Sequence, residues 1–312
     1  MSSTDMETLE FEIPLGLAEP ELPHPFSSLV HIDFGAVSHP GKVRPNNEDS
    51  YVIYQTGRSW ERLMTNLSEK DLPERFDEKG FAMVIADGMG GSAAGQVASS
   101  LAVRVGVNLV LQSPKWALKL DRPETRDREI AEGKQRAEKY FQKIDQTLLE
   151  YSRNFPSLKG MGTTLTATYI YGTDLFLIHT GDSRAYLFRG EKLWQLTHDQ
   201  TVAQALADSG AITPEEVATH RFRHTLTSCL GAQESRLTLE INQYTLLDGD
   251  QILLCTDGLT NEVTNDAIAG LLATQQSAPE ICNTLVDLAM QSGGRDNITV
   301  LLARYTSPLH SE

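Results

Sequence analysis

The feature that most constrains this 312-residue chain is a series of short apolar, β-branched runs that stop at acids, asparagines and glycines. They fall at residues 32–37, 50–54, 81–86, 163–171, 174–180, 184–188, 237–246, 252–256 and 298–304. Runs of that length with those boundaries are expected to be strands. Three helical patterns lie between them. Ala93, Ala94, Val97, Leu101 and Val105 follow Gly90-Gly91 at helical spacing. Ile130, Ala137, Phe141, Ile144 and Leu148 mark a second amphipathic helix, and Pro279 opens a third through Cys282, Leu285, Leu288 and Ala289. Thr213-Pro214-Glu215-Glu216 is a further helix start, with Thr213 as cap. Residues 163–188 read as a three-strand meander turning at Gly172-Thr173 and at Gly181-Asp182-Ser183. Strands outnumber helical crossovers, which favours antiparallel sheets with helices outside over a doubly wound parallel sheet.

Composition narrows the function. The chain carries 42 acids against 27 Lys and Arg, a formal charge of −15. That balance argues against nucleic acid as the main partner, because phosphate backbones are bound by clustered bases. It leaves metal cations and basic protein surfaces open. The first 41 residues hold seven of the acids and no Lys or Arg. Residues 1–27 are therefore expected to be an acidic tail, 28–306 the folded domain and 307–312 a short C-terminal tail. Residues 57–80 and 112–129 are charged and polar and read as surface insertions. No uninterrupted apolar run reaches about 18 residues, so neither a spanning helix nor a membrane partner is expected. The acidic start lacks the apolar core of a secretory signal. Cys229, Cys255 and Cys282 are odd in number, far apart and set in apolar surroundings. They read as reduced core residues of a cytoplasmic protein rather than zinc ligands.

Particular acids recur at strand ends. Asp87 follows run 81–86 and precedes Gly88-Met89-Gly90-Gly91; Asp257 follows run 252–256; Asp296 precedes run 298–304; Glu48-Asp49 precedes run 50–54. An Asp after a strand is common in turns, so each alone is weak. Together they would converge on one rim of a buried sheet, repel one another and raise their own pKa values. A hard divalent cation removes that conflict, and oxygen-only donors favour Mg²⁺ or Mn²⁺. Arg44, a few residues before Glu48, is the side chain suited to bidentate phosphate recognition. An Arg beside a carboxylate site for two metals points to phosphate-ester hydrolysis.

These residues match a family. The segments at 41–49 (Gly-Lys-Val-Arg-Pro-Asn-Asn-Glu-Asp), 84–91, 162–165, 181–186, 196–201, 254–259 and 295–300 resemble, in order, the metal-dependent serine/threonine protein phosphatases of type 2C (the PPM family) in their bacterial form. The resemblance spans about residues 30–304. It implies an α+β fold, a four-layer α-β-β-α sandwich of two antiparallel sheets with a metal centre at one end. By position, Asp87 would bridge two Mn²⁺ or Mg²⁺ ions and the Gly88 carbonyl would join the first. Asp257 and Asp296 would hold the second, Glu48 and Asp49 would lie close by through water, and Arg44 would bind substrate phosphate. Asp182 matches a third, weaker metal site; a polar hairpin turn is its competing reading. The implied activity is hydrolysis of phosphoserine and phosphothreonine in proteins by a metal-bridging hydroxide, opposing a serine/threonine kinase.

Residues 201–230 match the family's flap beside the active site. Its Arg221 and Arg223 are candidates for contact with acidic or phosphorylated substrates, against a plain solvated turn. Animal members carry a histidine, assigned as general acid, where this chain has Met89. Metal-bound water, a flap residue or His39 could serve instead, while His179 and His198 read as structural. Two other functions remain open. One is a catalytically inactive binding module that kept the fold. The other is a regulatory phosphatase acting on an anti-anti-sigma-type phosphoprotein.

Overall fold

The computed structural model describes residues 30–67, 72–90, 94–113, 120, 123–232 and 237–307. The expected tail at 1–27 lies outside the described residues. So do 308–312, residues 68–71 of the first insertion, and 114–119, 121 and 122 of the second.

One sheet takes the order β1 (His31–His39), β11 (Ile298–Thr306), β10 (Gln251–Cys255), β7 (Arg184–Arg189), β8 (Lys192–Gln195). The other takes β2 (Asp49–Glu61), β3 (Arg75–Met89), β5 (Leu165–Tyr171), β6 (Asp174–Thr180), β9 (Glu240–Thr245), with the short β4 (Gly162–Thr163) paired to the end of β3. Every pairing is antiparallel. Helices α1 (Ala94–Gln112) and α2 (Pro123–Asn154) follow β3. Helices α3 (Val202–Asp208) and α4 (Pro214–Val217) follow β8, and α5 (Asp257–Thr260), α6 (Asn265–Leu272) and α7 (Ala278–Ser292) fall between β10 and β11.

The layering follows from the two-residue period of a strand. In β10, Leu253 and Cys255 face a cluster with Ile268, Leu272, Ile281, Cys282 and Leu285 of α6 and α7, whereas Ile252 and Leu254 face the opposite sheet. In β3, Met83 and Ile85 meet that inter-sheet cluster, whereas Ala86 packs with Ala98, Leu101, Ile144 and Leu148 of α1 and α2. Both central sheets are thus buried on two faces, which is why their strands read as continuous apolar runs. The order helix, sheet, sheet, helix is the expected four-layer α+β sandwich.

The structure corrects one expectation directly. Residues 163–188 do not form a three-strand meander. β5 and β6 pair as a hairpin, but at Gly181-Asp182-Ser183 the chain leaves that sheet, and β7 pairs with β10 and β8 of the other. Gly181 has φ 113°, and a Cβ there would lie 2.5 Å from Thr164, so the crossing depends on glycine. The first insertion is largely β-ribbon: β2 and β3 stay paired out to Glu61 and Arg75, beyond the part of β3 that pairs with β5. The second is partly helical, since α2 starts at Pro123. By length and mean hydropathy α1 could cross a bilayer; here it packs against β2, β3 and α2, with a third of its residues buried. The three cysteines are free and buried.

Candidate active site

The acids gather because both sheets end at the same place. β2 begins at Asp49, whose register partner on β3 is Asp87. Across the sandwich, Asp257 opens α5 directly after β10, and Asp296 stands two residues before β11. Asp182 sits in the turn that crosses between sheets, and Arg44 and Glu48 lie between β1 and β2.

Backbone contacts fix these positions. The Asp87 N–H donates to Thr164 Oγ1 at 2.9 Å, and its carbonyl accepts from Thr163 Oγ1 at 2.8 Å and from the Thr164 N–H at 2.9 Å. The Asn297 side-chain carbonyl accepts the Glu48 N–H at 2.8 Å, while its amide donates to the carbonyls of Pro40 and Asn46 at 2.9 and 2.8 Å. One side chain from the β11 end therefore holds the whole loop that carries Arg44. Gly88 approaches Gly95 so closely that a Cβ would sit 2.1 Å from the Gly95 carbonyl oxygen. A Cβ at Gly95 would in turn meet both Glu48 Oε2, at 2.6 Å, and the Gly88 carbonyl oxygen, at 2.8 Å, so that carbonyl lies on the Glu48 side.

The electrostatics are those of like charges packed together. Burial pushes Asp87 well above the usual carboxylate range, and Asp49, Asp257, Asp182 and Asp296 push it further. Asp182 is raised in the same way, by burial first and then by Asp257 and Asp199. Burial lifts Asp49 to about 7, although its Oδ2 accepts from Thr299 at 2.6 Å and Thr256 at 3.0 Å. Glu48 is raised by burial against the pull of Arg44. Arg44 Nη2 donates to Asp296 Oδ2 at 2.7 Å, a bond that raises the guanidinium pKa.

A divalent cation fits this arrangement. Asp49 Oδ1 is buried with no hydrogen-bond partner among the described residues. A buried, unpaired carboxylate oxygen facing other carboxylates is costly unless positive charge joins it. The donors are oxygens, which suits Mn²⁺ or Mg²⁺. Among the described residues no three acids or histidines close into a coordination sphere by themselves. Water and the Gly88 carbonyl would therefore have to complete it.

Comparison with known proteins agrees with the geometry. The family model described as Protein phosphatase 2C matches residues 71–292. The chain belongs to the protein phosphatase 2C family. It is 35% identical over 272 residues to the serine/threonine protein phosphatase PstP of Mycobacterium tuberculosis, covering 86% of this chain but only 44% of PstP. It is 33% identical to the serine/threonine phosphatase stp of Listeria monocytogenes, covering 84% of this chain and 91% of stp. The fold overlays the Streptococcus agalactiae serine/threonine phosphatase with a TM-score of 0.71 at 26% identity, covering 88% of this chain and 99% of that one. It overlays the catalytic domain of PstP in complex with two manganese ions with a TM-score of 0.67 at 32% identity, covering 89% and 100%.

The family match contains Asp87, Gly88, Asp182 and Asp257. Arg44, Glu48, Asp49 and Asp296 lie outside it and reach the same place through strand pairing. His179 and His198 hold structure. His179 bonds Thr166 Oγ1 at 2.8 Å and the Gly181 carbonyl at 3.1 Å, and His198 Nε2 meets Asp208 Oδ2 at 2.7 Å. His39 Nδ1 accepts the Gly41 N–H at 2.9 Å, so that nitrogen is engaged in the loop.

Residues 201–231 contain α3 and α4. Thr213 and Glu216 form the expected capping box, and the Thr213 N–H donates to Glu216 Oε2 at 2.7 Å. Sequence reading gave no role to His224 of this flap, whose Nδ1 lies 3.3 Å from Asp257 Oδ2. Nor did it single out Thr256, Thr299 and Asn297. Thr256 beside Asp257 and Asn297 beside Asp296 were the available signal, but such residues are common beside turns, and Thr299 lies within β11.

Proposed function

We propose that this phosphatase 2C family protein hydrolyses phosphoserine and phosphothreonine in proteins, opposing a serine/threonine kinase in the cytoplasm. The observation that carries the reading is the convergence of buried Asp49 and Asp182 with half-buried Asp87, Asp257 and Asp296, with Asp49 Oδ1 unpaired among the described residues, beside Arg44. Asp87, Asp257, Asp296 and the Gly88 carbonyl would hold two Mn²⁺ or Mg²⁺ ions. Glu48 and Asp49 would support them through water, and Asp182 with Asp257 would add a third, weaker site. When bound, such cations lower the pKa of water to near neutrality and neutralise phosphoryl oxygens.

The chain's own residues supply position. Arg44 stands at the mouth, its side chain 54% exposed, tethered to Asp296 on one side and able to offer its remaining N–H groups to a phosphate dianion. Without cations, the carboxylates would repel that dianion, so substrate binding and metal binding are coupled by charge. No suitably placed cysteine competes as a nucleophile, because Cys229, Cys255 and Cys282 are buried and burial raises the Cys255 and Cys282 thiols to about 12. We assign the catalytic domain to residues 28–306, the segment that carries all these groups.

The test is turnover of phosphoserine, phosphothreonine and phosphotyrosine peptides in parallel, with Mn²⁺, with Mg²⁺ and after chelation. Activity on the first two that disappears with chelator and in Asp87→Asn is expected. Activity that survives both would overturn the reading, and metal-bound but inactive wild type would favour a binding module.

A further inference from the structure

Bases from two separate segments border the acid rim, in a chain whose formal charge is −15. The flap reaches the rim through His224, whose Nδ1 lies 3.3 Å from Asp257 Oδ2. Arg223 and Arg221 stand one and three residues before His224, so their Cα atoms are within about 11 Å of its own. The second segment is the loop before β2, where Arg44 Nη2 donates to Asp296 Oδ2 at 2.7 Å. Asp257 and Asp296 are neighbours: a Cβ at Gly258 would sit 3.5 Å from the Asp296 Cβ. Lys42 belongs to the same loop as Arg44. Its N–H donates to the Gly294 carbonyl at 2.7 Å, which brings it to the segment that carries Arg295.

These bases are exposed and weakly matched by acids. Lys42, Arg44, Arg221, Arg223 and Arg295 all face solvent. Lys42, Arg221 and Arg223 form no salt bridge among the described residues, and the Arg221 guanidinium lies 4.4 Å over the Phe222 ring instead. Arg295 is 75% exposed and meets Glu262 only at 3.7 Å. Neither residues 39–47 nor residues 217–231 contain an acid. Where cations neutralise the rim acids, these bases set the sign of the surrounding surface. We propose that the preferred substrates of this site are phosphoserine and phosphothreonine segments with acidic residues within about three positions of the phosphoresidue. Arg44 takes the phosphate, while Arg221 and Arg223 of the flap and Lys42 and Arg295 of the facing loops take the flanking carboxylates. An extended peptide advances about 3.3 Å per residue, so three positions cover about 10 Å, a span these bases share with the rim. The inference rests on the phosphatase reading and adds which phosphoproteins the site selects.

The test is kcat/KM of the full chain with Mn²⁺ at low salt on phosphoserine peptides of one length, flanked by Asp, by Ala or by Lys. The substrate without flanks is p-nitrophenyl phosphate. The Asp-flanked peptide is expected to exceed the Ala-flanked one by about tenfold, and the difference should shrink at about 0.5 M NaCl. The Lys-flanked peptide should be the poorest. Arg221→Ala with Arg223→Ala, and separately Lys42→Ala with Arg295→Ala, should each cut the Asp-to-Ala ratio by about threefold while leaving p-nitrophenyl phosphate within about twofold. Lys139→Ala with Lys143→Ala, two exposed bases of α2, removes the same charge and should leave the ratio unchanged. Equal kcat/KM on Asp- and Ala-flanked peptides would overturn the proposal and leave the phosphatase reading intact. So would an equal loss in the α2 variant, which would assign the preference to overall charge. Absence of turnover on every substrate would overturn the phosphatase reading and this proposal with it.

Discussion

His179 is the second-last residue of β6 and Asp182 lies in the turn three residues after it, and both are buried. Their surroundings treat charge in opposite ways. His179 has a partner on each ring nitrogen, and burial depresses its pKa to about 4, so it is held neutral. Asp182 faces Asp257 and Asp199, and with Asp87 and Asp49 it belongs to a group whose members raise one another's pKa values. The first arrangement is closed by the protein alone. The second is closed only by added positive charge. Burial of a titratable group therefore does not mark function; burial without sufficient partners does.

The largest effect should come from the unpartnered side. Asp87→Asn is expected to lower Mn²⁺-dependent kcat/KM on p-nitrophenyl phosphate by about 10³-fold or more. The same change should raise the Tm of the metal-free protein, because one member of a like-charged cluster is gone. A Tm drop with unchanged kcat/KM would reverse the assignment.

The two regions should also give stability slopes of opposite sign. The folded-state pKa of His179 lies below its ordinary 6.5, so between about pH 6.5 and 4 the unfolded chain binds the extra proton. This contribution is intact above 6.5, shrinks as pH falls and costs up to about 3 kcal/mol by pH 4. His179→Gln should lose about 1–3 kcal/mol at neutral pH and abolish that slope. Asp49 is the reverse case. Its folded-state value near 7 lies above the ordinary 3.8, so between those values the folded metal-free chain holds the extra proton, and stability falls as pH rises. Denaturant titrations of metal-free protein should show the two trends opposing each other. Mn²⁺ at about 100 times its Kd should add about 2.7 kcal/mol at neutral pH and leave the His179 trend uncovered. Equal pH profiles with and without metal would break the distinction.

The smallest effect concerns the rim. Arg44→Ala should raise KM for phosphopeptides by about tenfold, with a stability change of only about 0.2–1 kcal/mol, since the Arg44–Asp296 pair is solvent-exposed. Steady-state kinetics and thermal melts on one preparation separate the two.

Much of this site was legible because its signals are local. Asp87, Asp257 and Asp296 each adjoin a strand whose apolar run is visible by itself, and the Thr213–Glu216 capping box is complete within four residues. What escaped was set by distant pairing. The sheet change at Gly181-Asp182-Ser183 leaves no local trace, because a tight turn within a sheet and one between sheets use the same residue types. Thr256 and Thr299 hold Asp49 across more than 200 residues of chain, and His224 reaches Asp257 only once the flap is folded back.

The sequence by itself determined the strands, the antiparallel α+β class and the oxygen-donor chemistry, since periodicity and side-chain type are properties of short segments. Only the tertiary structure decided which carboxylates meet, which histidine is neutral and paired, and which bases border the acids. Burial, desolvation and the distance between like charges exist only after segments far apart in the chain have packed together.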